Sequence, residues 1–139
     1  MSQSRSGTVS GEIYLKVNDH AFPEIGWNDL VLPVLNGYVR SMQDFIAGSN
    51  RQERVHFMDG PFHVDFEEAN GETLIVSLSD DRQQNASVRY TTLVGPFVRT
   101  ILDAADRVID ECRRRAWDNP EIQELQMLRA ELRASYDRR

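Results

Sequence analysis

Two consecutive β-hairpins, predicted over residues 54–78, constrain the fold more than any other feature. Apolar and polar residues alternate through HFMDGPFHVDF, residues 56–66, on both sides of an Asp-Gly-Pro turn. A two-residue Asp-Gly turn would make Met58 and Pro61 a hydrogen-bonded pair, but proline has no N–H to donate. The sequence therefore predicts a four-residue loop, Met58 to Pro61, which pairs Val55 with Val64 and Phe57 with Phe62.

The same register places polar residues on the opposite face of the hairpin, with His56 opposite His63 and Arg54 opposite Asp65. Cross-strand Cβ atoms lie about 4.5–5.5 Å apart, so two imidazoles could share a zinc ion there, with Asp65 nearby. A catalytic zinc takes three protein ligands and an open position. The chain contains no HExxH, no CxxC and no second close histidine pair. A solvated histidine pair is therefore the favoured interpretation, and no metal or other cofactor is expected.

The second hairpin is predicted to turn through a three-residue loop, Ala69-Asn70-Gly71, in which Gly71 supplies a positive φ. This loop pairs Phe66 with Leu74, Val64 with Val76 and Phe62 with Leu78. A two-residue Asn-Gly loop would instead set Phe66 and Val64 against Ile75 and Ser77, which would divide the apolar face between the two sides of the sheet.

The other elements follow from alternation, helical spacing and cap signals. They are a strand from Thr8 to Val17, a helix from Asp29 or Leu30 to Gly48, a polar connection from Ser79 to Ala86, a strand from Ser87 to Val94, a helix opened by Gly95-Pro96, and a third helix opened by Asn119-Pro120-Glu121.

The order β-α-β-β-β-β-α-α predicts an α+β fold in which an antiparallel sheet of about five strands carries helices on one face. We expect a single domain over residues 1–139, with a flexible segment 1–7 and a third helix, 119–139, that frays at its end. The other sheet face would be solvated. It is predicted to carry Glu12, Tyr14, Lys16, Arg54, His56, Met58, His63, Asp65, Glu67, Thr73, Ile75 and Ser77.

Charge and motifs limit the classes of function. The net charge is −6, and all of it lies in residues 1–94, which contain thirteen acidic and seven basic side chains. This argues against a nucleic-acid binder. No apolar run is long enough for a membrane span and the N-terminus does not resemble a signal peptide, so we expect no membrane association.

The single cysteine, Cys112, fits a reducing cytoplasm and lies on an apolar helix stripe, where a core role is favoured over a nucleophilic one. With no phosphate loop or Gly-x-Ser-x-Gly elbow, the chain is predicted not to be an enzyme.

Two stretches resemble those of small bacterial immunity proteins of polymorphic-toxin systems. They are Phe22-Pro23 with Trp27-Asn28-Asp29-Leu30 before a helix, and Phe57-Met58-Asp59-Gly60-Pro61-Phe62 in a hairpin. The resemblance runs from Gly11 to Trp117 and leaves out the third helix. It implies tight, non-enzymatic binding of one cognate toxin in the cytoplasm, by covering the toxin's active site or blocking its movement. It identifies no toxin.

The expected partner-binding residues combine the solvated sheet face with nearby acidic residues: Tyr14, Arg54, His56, Met58, His63, Asp65, Glu67, Asp80 and Asp81. If the toxin is a nuclease, Asp65, Glu67, Asp80 and Asp81 would occupy phosphate positions in its basic cleft. Two alternatives stay open. One is a metal protein built on His56, His63 and Asp65. The other is a self-associating structural or adaptor subunit, a homodimer formed through the third helix, Ile122 to Leu132, or through the sheet face.

Overall fold

A computed structural model of the chain describes residues 1–48, 52–83 and 87–138. In chain order its elements are β1 (Ser2–Gln3), β2 (Val9–Glu12), β3 (Leu15–Val17), β4 (His20–Phe22), β5 (Asn28–Leu30), α1 (Val31–Ile46), β6 (Gln52–His56), β7 (Phe62–Asn70), β8 (Thr73–Asp80), β9 (Val88–Leu93), α2 (Val94–Arg114) and α3 (Pro120–Asp137).

The main sheet is antiparallel, with strand order β6-β7-β8-β9. Its helix-facing side carries a row of buried apolar residues, including Val55, Val64, Phe66, Val76 and Leu78. Tyr38 of α1 packs edge-on against Phe66, and so does Phe97 of α2. The predicted α+β class, with helices on one face of an antiparallel sheet, is confirmed.

The N-terminal strand prediction is wrong in detail, which is why the main sheet has four strands rather than about five. The segment Thr8 to Val17 breaks at Ile13 and Tyr14. Its first part, β2, pairs with β1 and β5, while its second part, β3, pairs with β4. Ile13 donates its N–H to the Trp27 carbonyl at the end of the β2–β5 pairing, and after β3 Asn18 and Asp19 take positive φ in a tight turn that leads into β4. Glu12, Tyr14 and Lys16 therefore do not lie on the main sheet.

The first hairpin has the predicted register. Val55 pairs with Val64, His56 with His63 and Arg54 with Asp65, and Phe57 donates its N–H to the Phe62 carbonyl. Gly60 takes positive φ within the loop. The proline argument thus identified the correct loop.

The second hairpin is shifted by two residues from its predicted register. Val64 pairs with Leu78 and Phe66 with Val76, and an irregularity between Glu68 and Asn70 precedes the pairing of Asn70 with Thr73. The turn is closed by Asn70, whose Oδ1 accepts hydrogen bonds from the Glu72 and Thr73 N–H groups at 3.0 and 3.1 Å. Gly71 does not take a positive φ. A shift of two residues keeps every side chain on its predicted face, so the apolar pattern could not distinguish the two registers.

The three helices begin close to their predicted positions. The side chain of Asn119 caps α3 by accepting from the Ile122 N–H at 2.8 Å, and Pro120 occupies its first turn. The apolar side of α3, formed by Ile122, Leu125, Leu128 and Leu132, is buried against the rest of the chain. This seam is therefore not available for the dimer that the sequence left open. Within the described residues, no helix combines the length and apolar character needed to cross a bilayer.

The structure also differs from the predicted elements at the N-terminus and in the connection after β8. Ser2–Gln3 pairs with β2, although no element was predicted there. Ser79 and Asp80 belong to β8 rather than to the polar connection, and residues 84–86 of that connection lie outside the described residues.

Candidate functional site

The side of the main sheet turned away from the helices, here called the outer face, brings together five of the predicted site residues. Arg54 and His56 come from β6, and His63, Asp65 and Glu67 lie directly opposite or diagonal to them on β7. The adjoining strands add Ile75, Ser77, Arg89, Thr91 and Leu93. The outer face is the largest concentration of the predicted binding residues.

A chain of charged contacts runs across the outer face. Arg54 donates two hydrogen bonds to Asp65, at 2.7 and 3.1 Å. Asp65 Oδ2 lies 3.5 Å from His63 Nε2, and His63 Nδ1 lies 2.8 Å from Asp81 Oδ1. The last contact is short, but its geometry does not make a hydrogen bond. We call Arg54, Asp65, His63 and Asp81 the outer-face network.

The two histidines differ in exposure, which corrects the prediction of a solvated pair. His56 is exposed, whereas only 6% of the surface of His63 is accessible. The His56 ring stands 5.6 Å from the His63 ring, and Asp81 closes over the other side. The Asp81 N–H donates to the Pro61 carbonyl at 2.8 Å, which holds the segment after β8 against the hairpin loop.

The four carboxylates predicted to face a nuclease cleft each have a basic partner. Beyond Asp65 and Asp81 in the outer-face network, Glu67 lies 4.0 Å from the Arg89 guanidinium. Asp80 lies 2.8 Å from Arg82, and the hydrogen bond from Arg82 lowers the pKa of Asp80. Asp80 also has the register of the helix-facing side, opposite Phe62. These four residues thus do not form an unpaired acidic patch, and the outer face alternates in charge instead.

The remaining two predicted residues lie elsewhere. Met58 is 48% exposed in the first hairpin loop, just beyond His56. Tyr14 lies at the bend between β2 and β3, where it lines a groove against α2. The structure therefore places Met58 at the margin of the outer face and Tyr14 outside it.

Sequence reasoning missed a buried carboxylate, Asp29, which is 3% exposed. It accepts hydrogen bonds from the Trp27 indole at 3.1 Å, its neighbour Leu30 N–H at 2.7 Å, and the Met58 and Asp59 N–H groups at 3.1 Å. Trp27 also packs edge-on against Phe62. The stretch from Trp27 to Leu30 and the first hairpin loop are thus in direct contact, joined by Asp29. An aspartate directly before a helix was the available signal, because such residues cap backbone N–H groups.

Metal and nucleophilic chemistry receive no support from the geometry. Within residues 1–48, 52–83 and 87–138, no three His, Cys, Asp or Glu side chains are placed to hold a metal ion together. Burial, with a contribution from Glu111, raises the pKa of the Cys112 thiol, which disfavours the reactive thiolate. Comparison of the chain with protein-family models, curated proteins and solved structures finds no match.

Proposed function

We propose that this chain is a non-enzymatic immunity protein that binds a cognate bacterial toxin in the cytoplasm through its outer face. The observation that carries the proposal is the outer-face network, in which charged side chains are fixed in position on a sheet surface that remains accessible to a partner. The resemblance to immunity proteins is the reason for proposing this partner class, and the ordered charged side chains support the choice of surface.

Fixed side chains favour tight binding. Ordering a long side chain at an interface costs about 0.5–1.5 kcal/mol, and this cost is avoided when the side chain is already held in place. Arg54 is held by both oxygens of Asp65, and Asp65 also contacts the buried His63. A partner that complements this alternation of charge would gain specificity, because misplaced like charges are repelled.

The outer face also offers apolar contact beside its charges. Leu93 is 55% exposed, and Ile75 is half-buried on the adjoining strand. The pairs Thr73–Leu93 and Ile75–Thr91 make Ile75 and Leu93 diagonal neighbours, near enough to share a contact. Apolar anchors beside polar side chains are the usual composition of a protein–protein interface.

The test is co-expression with the product of the neighbouring gene, followed by purification and a growth assay. We expect a stable one-to-one complex and loss of the neighbour's toxicity. The variant that exchanges the network ion pair, Arg54→Asp with Asp65→Arg, should fold but fail to protect, because its charges are reversed in place. Arg40→Glu with Glu124→Arg reverses an ion pair between α1 and α3 and is the matched control.

Two outcomes would overturn the proposal. If the neighbour's product neither binds nor becomes harmless, the toxin partner is wrong. If the exchanged outer-face variant protects as well as the control, the binding surface is wrong. Light scattering on the isolated chain separates the self-association alternative, which predicts a dimer that the outer-face exchange dissociates.

A further inference from the structure

A groove of about 630 Å³ separates the β2–β3 bend from α2. Its apolar lining includes Ile13 and Leu15 from the bend, Leu35 from α1, and Phe97 and Val108 from α2. Pockets that hold small ligands usually enclose roughly 300–1,000 Å³ and are predominantly apolar, with a few polar groups. This groove has that size and composition and lies outside the outer face.

Two cations line the groove. Lys16 and Arg107 both line it, both are exposed, and neither forms an ion pair with another described residue. Most arginines in the described part of the chain do pair with carboxylates. One carboxylate, Glu12, also lines the groove, but its Oε1 is turned toward Gly26. The groove thus combines an apolar lining with two cations that form no ion pair with a described residue.

We propose that this groove binds a small amphipathic carboxylate, with its hydrocarbon chain on the apolar lining and its carboxylate at Arg107 and Lys16. Burying the hydrocarbon chain against Leu15, Phe97 and Val108 is favourable because it removes apolar surface from water. A guanidinium and an ammonium are the side-chain groups that form charge-assisted hydrogen bonds to a carboxylate. The ligand class is therefore a medium-chain fatty acid or a molecule of the same shape and charge.

Decanoate is the probe, titrated into the full chain by calorimetry, with decanol as the uncharged comparison. We expect saturable one-to-one binding of decanoate and at least tenfold weaker binding of decanol, the loss expected when an interaction with a charged group is removed. Arg107→Gln and Lys16→Gln should each weaken decanoate binding, Arg107→Gln by roughly tenfold. Arg99→Gln is the matched control, because Arg99 is an exposed arginine on the same helix outside the groove lining.

The proposal is overturned if decanoate does not bind saturably, if decanol binds equally well, or if Arg107→Gln has no more effect than Arg99→Gln. Thr100→Trp places a bulky side chain in the groove lining without changing charge and should abolish binding. Unchanged binding by this variant would place the ligand elsewhere. Because these titrations need no toxin, their failure leaves the proposed immunity function untouched.

Discussion

At the scale of single residues, Asp29 links the hairpin loop to the start of α1 through hydrogen bonds to both. Replacing it with alanine would leave four buried or half-buried N–H donors without their acceptor, and each such loss costs about 1–3 kcal/mol when water cannot compensate. We expect Asp29→Ala to lower the free energy of unfolding by about 3 kcal/mol in urea denaturation. Asp59→Ala is the control, since the Asp59 side chain is exposed in the same loop. Equal effects of the two substitutions would contradict the assignment.

At Tyr38, by contrast, a substitution should increase the free energy of unfolding. Its hydroxyl is buried beneath the sheet with no hydrogen-bond partner among the described residues, and burial raises its pKa far above the usual value. A buried unpaired hydroxyl is destabilising, so Tyr38→Phe should raise the free energy of unfolding by about 1 kcal/mol. Tyr90→Phe should have the opposite effect, because the Tyr90 hydroxyl bonds His20 Nδ1 at 3.0 Å. A loss of stability in Tyr38→Phe would show that its hydroxyl is satisfied.

At the scale of elements, the two hairpins mark how far the sequence could predict the fold. The first register followed from a proline that cannot donate a hydrogen bond, which is a local and decisive constraint. The second register had two solutions with the same facing residues, and the choice between them depends on the side chain of Asn70. The bend at Ile13 left only a weak signal, because Gly11, two residues before it, is the one residue that interrupts the alternation.

Asn70→Ala tests this account of the second turn. Losing the hydrogen bonds to the Glu72 and Thr73 N–H groups should lower the free energy of unfolding by about 1 kcal/mol. Glu72→Ala changes an exposed side chain in the same turn and should have a smaller effect. Thermal and urea unfolding of both variants provides the comparison. A larger effect of Glu72→Ala would assign the closure of the turn to the wrong residue.

Glu111, at the end of α2, should make the stability of the folded state depend on pH. Hydrogen bonding from Arg115, together with the charge of Arg114, lowers the pKa of Glu111 below its usual value. A carboxylate with a lowered pKa stabilises the folded state above its unfolded pKa, about 4.3, and this contribution disappears as the pH falls through the lowered value. Glu111→Gln should therefore be less stable than the native chain at pH 7 and equal to it in strong acid. Asp110→Asn, at an exposed neighbour, is the control, and a pH-independent difference would contradict the prediction.

At the scale of the whole molecule, the sequence identified much of the outer face but not how its charged side chains pair. Alternation along β6 and β7 placed Arg54, His56, His63, Asp65 and Glu67 together correctly. His63 is buried and contacts Asp81, which follows β8 and donates its N–H to the Pro61 carbonyl in the hairpin loop. Such a contact between distant segments leaves no periodic signal, so the face appeared acidic and solvated in the sequence although its charges are paired.

The central claim is that the outer face binds a toxin, and calorimetric titration against the neighbouring gene's product tests it most directly. The native chain and the Arg40→Glu, Glu124→Arg control should bind one-to-one with equal affinity. The Arg54→Asp, Asp65→Arg variant should lose about 2 kcal/mol or more of binding free energy while retaining its unfolding midpoint. Equal affinities for all three proteins, or no binding by the native chain, would contradict the account.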